Sequence, residues 1–131
     1  MHVSIVSPEK KVWEGDADMV VARSPEGEFG ILRGHIPFLA ALVPGAVRVT
    51  SGSSRDVFFV SGGVLEASGQ MDDYHVIVLA DDAETAGDIS VEEARQRVEE
   101  ARRRTEDRDD RAESELRIAM ARVEVAEQES H

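Results

Sequence analysis

The chain contains no cysteine. Disulfides, thiolate metal sites and cysteine nucleophiles are therefore excluded, and the composition fits a reducing compartment without requiring one. Lysine is confined to Lys10 and Lys11, and no Gly-x-x-x-x-Gly-Lys-Ser/Thr run occurs, which excludes a phosphate-binding P-loop. No apolar stretch approaches the roughly 20 residues of a membrane-spanning helix. The opening residues Met1-His2-Val3-Ser4 carry neither a basic region nor an apolar run, so no signal peptide is expected. Positive charge is outnumbered, with 15 Lys and Arg against 27 Asp and Glu and a net charge of −12. Such a surface repels phosphate backbones and anionic headgroups, so neither nucleic acid nor the lipid surface itself is an expected partner. Cationic protein surfaces are compatible with it.

Glycine and proline are absent from the whole C-terminal third. All ten glycines and all four prolines lie at or before Gly87. Both residues mark turns and are disfavoured inside helices. The boundary predicts two units, a head over residues 1–87 and a helical segment over 88–131.

What the head does contain is short β-type runs between turns. His2 to Val6 alternates and is broken by Ser7-Pro8; Val12-Trp13 and Met19 to Ala22 are bounded by Gly15 and Pro25. Ala46 to Thr50 alternates, placing Val47 and Val49 on one face. Val57 to Val60 is followed by Gly62-Gly63 and then Val64-Leu65, a pattern that predicts a hairpin. Tyr74 to Ala80 closes the series. Turn signals at this spacing predict a sandwich or flattened barrel. Val76-Ile77-Val78-Leu79 is apolar on both faces, so one face fills the core and the other needs cover from a helix or a partner.

The C-terminal segment has helical spacing. Val91, Ala94, Val98 and Ala101 form one stripe, and Ala112, Leu116, Ala119, Val123 and Ala126 a second. Ser90 with Glu93 is a capping box, and Asp110 with Glu113 offers a second helix start. The short polar connection over 105–109 predicts an antiparallel hairpin. Glu93–Arg97, Glu99–Arg103, Glu100–Arg104 and Glu113–Arg117 are candidate i,i+4 pairs contributing about 0.3 kcal/mol each. Narrow alanine-rich stripes and weak pairs make the hairpin a candidate moving part.

Catalytic and metal chemistry find little support. His2, His35, His75 and His131 have no partner at metal-ligand spacing. Serines 51, 53, 54 and 61 sit in turn-like sequence without a matched histidine and carboxylate. Exposed turns account for the acidic pairs Asp72-Asp73 and Asp81-Asp82. The dense segment Gly27-Glu28-Phe29-Gly30-Ile31-Leu32-Arg33-Gly34-His35-Ile36-Pro37 stands apart, because its glycines suggest positive φ or close backbone approach.

That segment carries a family resemblance. Pro25 to Pro37 followed by Leu42 to Val47, then Val60-Ser61-Gly62-Gly63-Val64-Leu65-Glu66, then Val78-Leu79-Ala80-Asp81-Asp82-Ala83-Glu84, occur in an order that resembles the epsilon subunit of bacterial F-type ATP synthase, the counterpart of the mitochondrial delta subunit. The resemblance spans nearly the whole chain. It implies an α+β fold in two parts, a β-sandwich of about ten strands followed by an antiparallel helical hairpin. It implies a non-catalytic rotor subunit of the central stalk, gripping the gamma subunit and the c-ring so that proton-driven rotation reaches the catalytic head. In that reading Glu26, Gly27, Glu28, Phe29 and Gly30 form the loop facing the c-ring, and Gly34, His35, Pro37, Gly62 and Gly63 belong to the family signature. The hairpin would be a mobile brake that touches the alpha and beta catalytic subunits. The protein would lie at the cytoplasmic side of the cell membrane, held there only through the complex.

One departure accompanies the resemblance. Some members bind ATP beside a helix start reading Ile/Leu-Asp-x-x-Arg-Ala; here the same place reads Ile89-Ser90-Val91-Glu92-Glu93-Ala94. Ser90 replaces the aspartate and Glu93 the arginine, and a carboxylate there repels phosphate. Glu84 and Arg122 match positions used in those members but do not by themselves make the site, so no cofactor is expected. The alternative reading from a different class is a free-standing small-ligand-binding β-sandwich that dimerises through its helices.

Overall fold

The computed structural model describes residues 1–34, 36–105 and 110–129. Ten strands form two five-stranded sheets. In chain order they are β1 (His2–Val6), β2 (Lys11–Asp16), β3 (Met19–Ser24), β4 (Gly27–Leu32), β5 (Phe38–Leu42), β6 (Gly45–Ser51), β7 (Ser54–Val60), β8 (Gly63–Ser68), β9 (His75–Ala80) and β10 (Ala83–Thr85). Two helices follow, α1 (Val91–Thr105) and α2 (Asp110–Gln128). The first sheet runs β2-β1-β9-β8-β5 and the second β10-β7-β6-β3-β4. β1 and β9 pair in parallel.

Alternation sorts the side chains. Val3 and Ile5 of β1, Val76 and Val78 of β9, Leu65 of β8, Val20 of β3 and Val47 and Val49 of β6 point inward and are buried in one core between the sheets. Trp13 and Phe58 add an aromatic contact at 6.2 Å, as Phe29 and Phe38 do at 5.2 Å.

The expected hairpin at Gly62-Gly63 does not form. β7 ends in the second sheet and β8 begins in the first, so the glycine pair carries the chain from one layer to the other. Both glycines have φ of +140°, and the crossing is fixed by Ser61 N–H donating to the Asp82 carbonyl and Asp81 N–H donating to the Gly62 carbonyl. Each strand instead finds partners elsewhere, β7 with β6 and β10 and β8 with β5 and β9. The run Val57 to Val60 explains itself in this frame. Phe58 and Val60 face the main core, while Val57 and Phe59 face outward beneath the helices.

The helices lie on the outer face of the second sheet. Ser90 Oγ accepts from Glu93 N–H at 3.2 Å, so the expected cap of α1 is present; the Glu93 carboxylate pairs with Arg97 at 2.8 Å. Glu100–Arg104 also forms, at 2.9 Å, whereas Glu99–Arg103 and Glu113–Arg117 are not among the ion pairs of the described residues. Ala94, Val98 and Ala101 of α1 are buried as the stripe predicts. α2 departs from expectation. Beside the alanine stripe it carries a second one, Ile118, Ala121 and Val125, which packs on Val57 and Phe59 together with Ala86 and Ile89. Burying a side chain of Phe59's or Val125's class contributes about 1.5–3 kcal/mol, so the hairpin is anchored more firmly than one alanine-rich seam implies. The connection expected over 105–109 lies outside the described residues except for Thr105, the last residue of α1.

Candidate functional site: an apolar sheet face and a latched hairpin

The two outer sheet faces meet different fates. The second is covered by α2. The first is bare, and the strand register lines up its side chains in rows. Ala41, Val64, Leu79 and Val6 stand side by side across β5, β8, β9 and β1, with Leu39, Glu66, Ile77 and Ser4 in the next row. Leu39 is 70% exposed, Leu79 52% and Val64 38%. This is the uncovered side of the two-faced strand β9; among the described residues α2 approaches it at the Val64 end, where Ser114, Arg117 and Ile118 share a cleft with Gly63 and Val64. A contiguous apolar face of this kind marks a docking surface.

The signature residues are mostly scaffolding. Gly34, at φ +80°, sits under Met71, whose Cε lies 3.2 Å from where a Cβ would stand. Tyr74 Oη donates to the Ile36 carbonyl at 3.1 Å, tying the chain that leads through Pro37 into β5 to the start of β9; burial pushes the Tyr74 hydroxyl above its ordinary pKa. His35 lies outside the described residues. At Gly63 a Cβ would stand 2.2 Å from the Leu79 carbonyl oxygen, so this position admits no side chain without moving β9.

The segment expected as a loop is mainly a strand. The turn holds Pro25 and Glu26, and β4 begins at Gly27. Gly27 does have positive φ, +125°. Gly30 has neither positive φ nor a crowded neighbour, and Phe29 points inward against Phe38. Glu28 lies on the outer face of the second sheet, where its carboxylate accepts from Arg48 of β6 at 2.7 Å.

At the junction of head and hairpin the structure joins Glu84 of β10 to Arg122 of α2. Arg122 Nε and Nη2 donate to the two Glu84 oxygens at 2.7 and 3.0 Å. The Arg122 side chain is 12% exposed and its Nη1 is buried without a hydrogen-bond partner. The Glu84 hydrogen bonds raise the Arg122 pKa above its ordinary value against the opposing effect of burial, and Glu93 and Asp82 lie close enough to add to the rise. Among the described residues Glu84 is therefore the one carboxylate shown in contact with this guanidinium, with Glu93 and Asp82 acting on it from farther away. The neighbouring cleft between the helices, about 340 Å³, is lined by Arg97, Arg104 and Arg122 among others. Each of these arginines is already engaged, Arg97 with Glu93, Arg104 with Glu100 and Glu115, and Arg122 with Glu84. Arg55–Glu129 at 3.0 Å adds a further tie between head and the end of α2. Sequence reading named Glu84 and Arg122 but not their direct pairing. Ile118, Ala121 and Val125 were missed, although their i, i+3, i+7 spacing was a usable signal.

Comparison with known proteins follows the same outline. Residues 1–86 match the beta-sandwich domain of the ATP synthase delta/epsilon chain. The ATP synthase epsilon chain of Halalkalibacterium halodurans is 48% identical over 95 residues, 72% of this chain and 68% of the relative. That of Hydrogenovibrio crunogenus is 45% identical over 128 residues, 95% of this chain and 86% of the relative. In fold, the chain resembles one from the cryo-EM structure of the Euglena gracilis mitochondrial ATP synthase OSCP/F1/c-ring, with TM-score 0.79 and 24% identity over 98% of this chain and 80% of that one. With the domain match covering the sandwich and the second relative covering the hairpin as well, the chain belongs to the family of ATP synthase delta/epsilon chains.

Proposed function

We propose that this chain is the non-catalytic central-stalk subunit of a rotary ATP synthase, docking through the bare face of its first sheet onto the gamma subunit. The observation that carries the reading is the asymmetry of the sandwich. One outer face is covered by the chain's own helices, and the other presents the aligned row Val64, Leu79 and Val6 with Leu39 beside it. A stalk subunit needs a permanent apolar attachment and a separate, revisable contact, and the two faces divide in that way. The turn at Pro25-Glu26, with Glu28 at its base, meets the c-ring. The hairpin, when it leaves the second sheet, reaches the alpha and beta subunits and restrains hydrolysis. Membrane association at the cytoplasmic side of the cell membrane then comes through the complex, consistent with the absence of any helix long and apolar enough to cross a bilayer among the described residues. The free-standing dimeric reading is less favoured, because both apolar stripes of α2 are already satisfied within one chain, by α1 and by the second sheet.

Cysteine placed at Glu28 tests the orientation within the assembled enzyme. Crosslinking to a c subunit is expected. Crosslinking to catalytic subunits alone would overturn the assignment.

A further inference from the structure

The β3–β4 turn and the hairpin share one polar cleft. It holds about 280 Å³ and is lined from the sheet by Arg23, Glu28 and Arg48 and from α2 by Glu124, Val125 and Gln128. Glu28 stands directly across from Arg23 in the strand ladder. Its carboxylate nevertheless reaches beyond β3 to Arg48 of β6, at 2.7 Å. The Arg48 side chain is 27% exposed and the Glu28 side chain 53%. The guanidinium is thus the more enclosed partner and the carboxylate the one open to an incoming group. On the opposite wall Glu124 of α2 lines the same cleft.

We infer that Arg48 is a charge switch shared by two docking events, pairing with Glu28 when the turn is unengaged and with Glu124 of α2 when a cationic partner group takes Glu28. A guanidinium partly withdrawn from water does not remain unpaired at low cost, and among the described residues lining the cleft the one other carboxylate belongs to Glu124, on the hairpin. Engagement of the turn would then tighten the docked hairpin, and by reciprocity a docked hairpin would make Glu28 more available to the partner. The inference extends the proposed function, in which the turn meets a partner and the hairpin moves. It requires only this chain's own residues.

The test is amide hydrogen exchange on the isolated full chain, reading the segment 118–128 of α2. Glu28→Gln imitates engagement by releasing Arg48 while keeping side-chain size. It is expected to slow exchange in that segment by about two- to fivefold, the range of partly exposed ion pairs. The slowing should vanish when Glu28→Gln is combined with Glu124→Gln, and again when it is combined with Arg48→Gln. Unchanged exchange in β3 and β6 shows that each variant keeps the fold. No slowing, faster exchange, or the same slowing with Glu124→Gln present overturns the switch. The isolated chain contains no ring or stalk partner, so this result is independent of whether the turn faces the c-ring.

Discussion

Gly63 and Arg122 show how single side chains set the terms for the rest. At Gly63 the backbone holds φ at +140° and the Leu79 carbonyl occupies the space of a side chain. Gly63→Ala is expected to cost at least about 1–3 kcal/mol from backbone strain alone, read as a fall in the urea midpoint; an unchanged midpoint would mean the layer crossing tolerates a Cβ. Arg122 is held by Glu84, with Glu93 and Asp82 near enough to act on it, so this guanidinium offers little free positive charge to a triphosphate. Titration calorimetry with Mg-ATP should show no micromolar binding, and micromolar binding lost in Arg122→Ala would contradict that. The sign of the pH dependence also follows. A cation whose pKa is raised on folding contributes in full below its ordinary value and loses that contribution only as pH rises through the folded one. For an arginine, whose ordinary value is already strongly alkaline and is raised further here by the Glu84 hydrogen bonds, that window lies far above neutrality, so titration of Arg122 itself leaves hairpin docking flat between about pH 6 and 9.

At the scale of elements, α2 holds the hairpin down. α1 precedes it in the chain and connects to the head, yet α1 packs mainly on α2, and α2 is the helix that lies on β6, carries Arg122 and the Ile118–Val125 stripe, and is followed directly by Glu129. An isolated helix of this length is marginal in water. The chain cut after Thr105 should therefore lose protection throughout α1, by hydrogen exchange, while the sandwich keeps its own. Retained protection in α1 would show an anchorage independent of α2. Cut after Gly87, the head should still melt cooperatively, with Val57 and Phe59 newly exposed. Elements of this kind differ in how openly the sequence declares them. β1 and β6 are legible because alternation and β-branched residues agree, β9 because its short apolar run is rich in β-branched residues, and α1 because cap, spacing and the loss of glycine coincide. β4 and β5 were hidden behind glycines and Pro37, which serve the crossings between layers. β10 is three residues long and came only with the family resemblance. The Gly62-Gly63 hairpin was a fair local inference that failed because strand partners are chosen by the whole sandwich. The latch at Glu84 was hidden for the same reason, since its partners are 38 residues apart.

For the whole molecule, the two faces of the sandwich assign two kinds of contact. The apolar first face is suited to a lasting attachment, because exposing it costs free energy whenever the partner leaves. The second face is held by a mixed interface, an apolar seam bordered by the ion pairs Arg122–Glu84 and Arg55–Glu129, which a competing partner can replace one by one. Under the proposed function, that division would make the head the coupling element and the hairpin the adjustable one. The most direct measurement is reconstitution of the ATP synthase complex with the full chain and with residues 1–87, comparing ATP hydrolysis and coupled synthesis. Both forms are expected to support coupled synthesis, with hydrolysis several-fold faster in the complex that lacks the hairpin. Equal hydrolysis rates in the two complexes, or loss of coupling when only the hairpin is missing, would contradict the account.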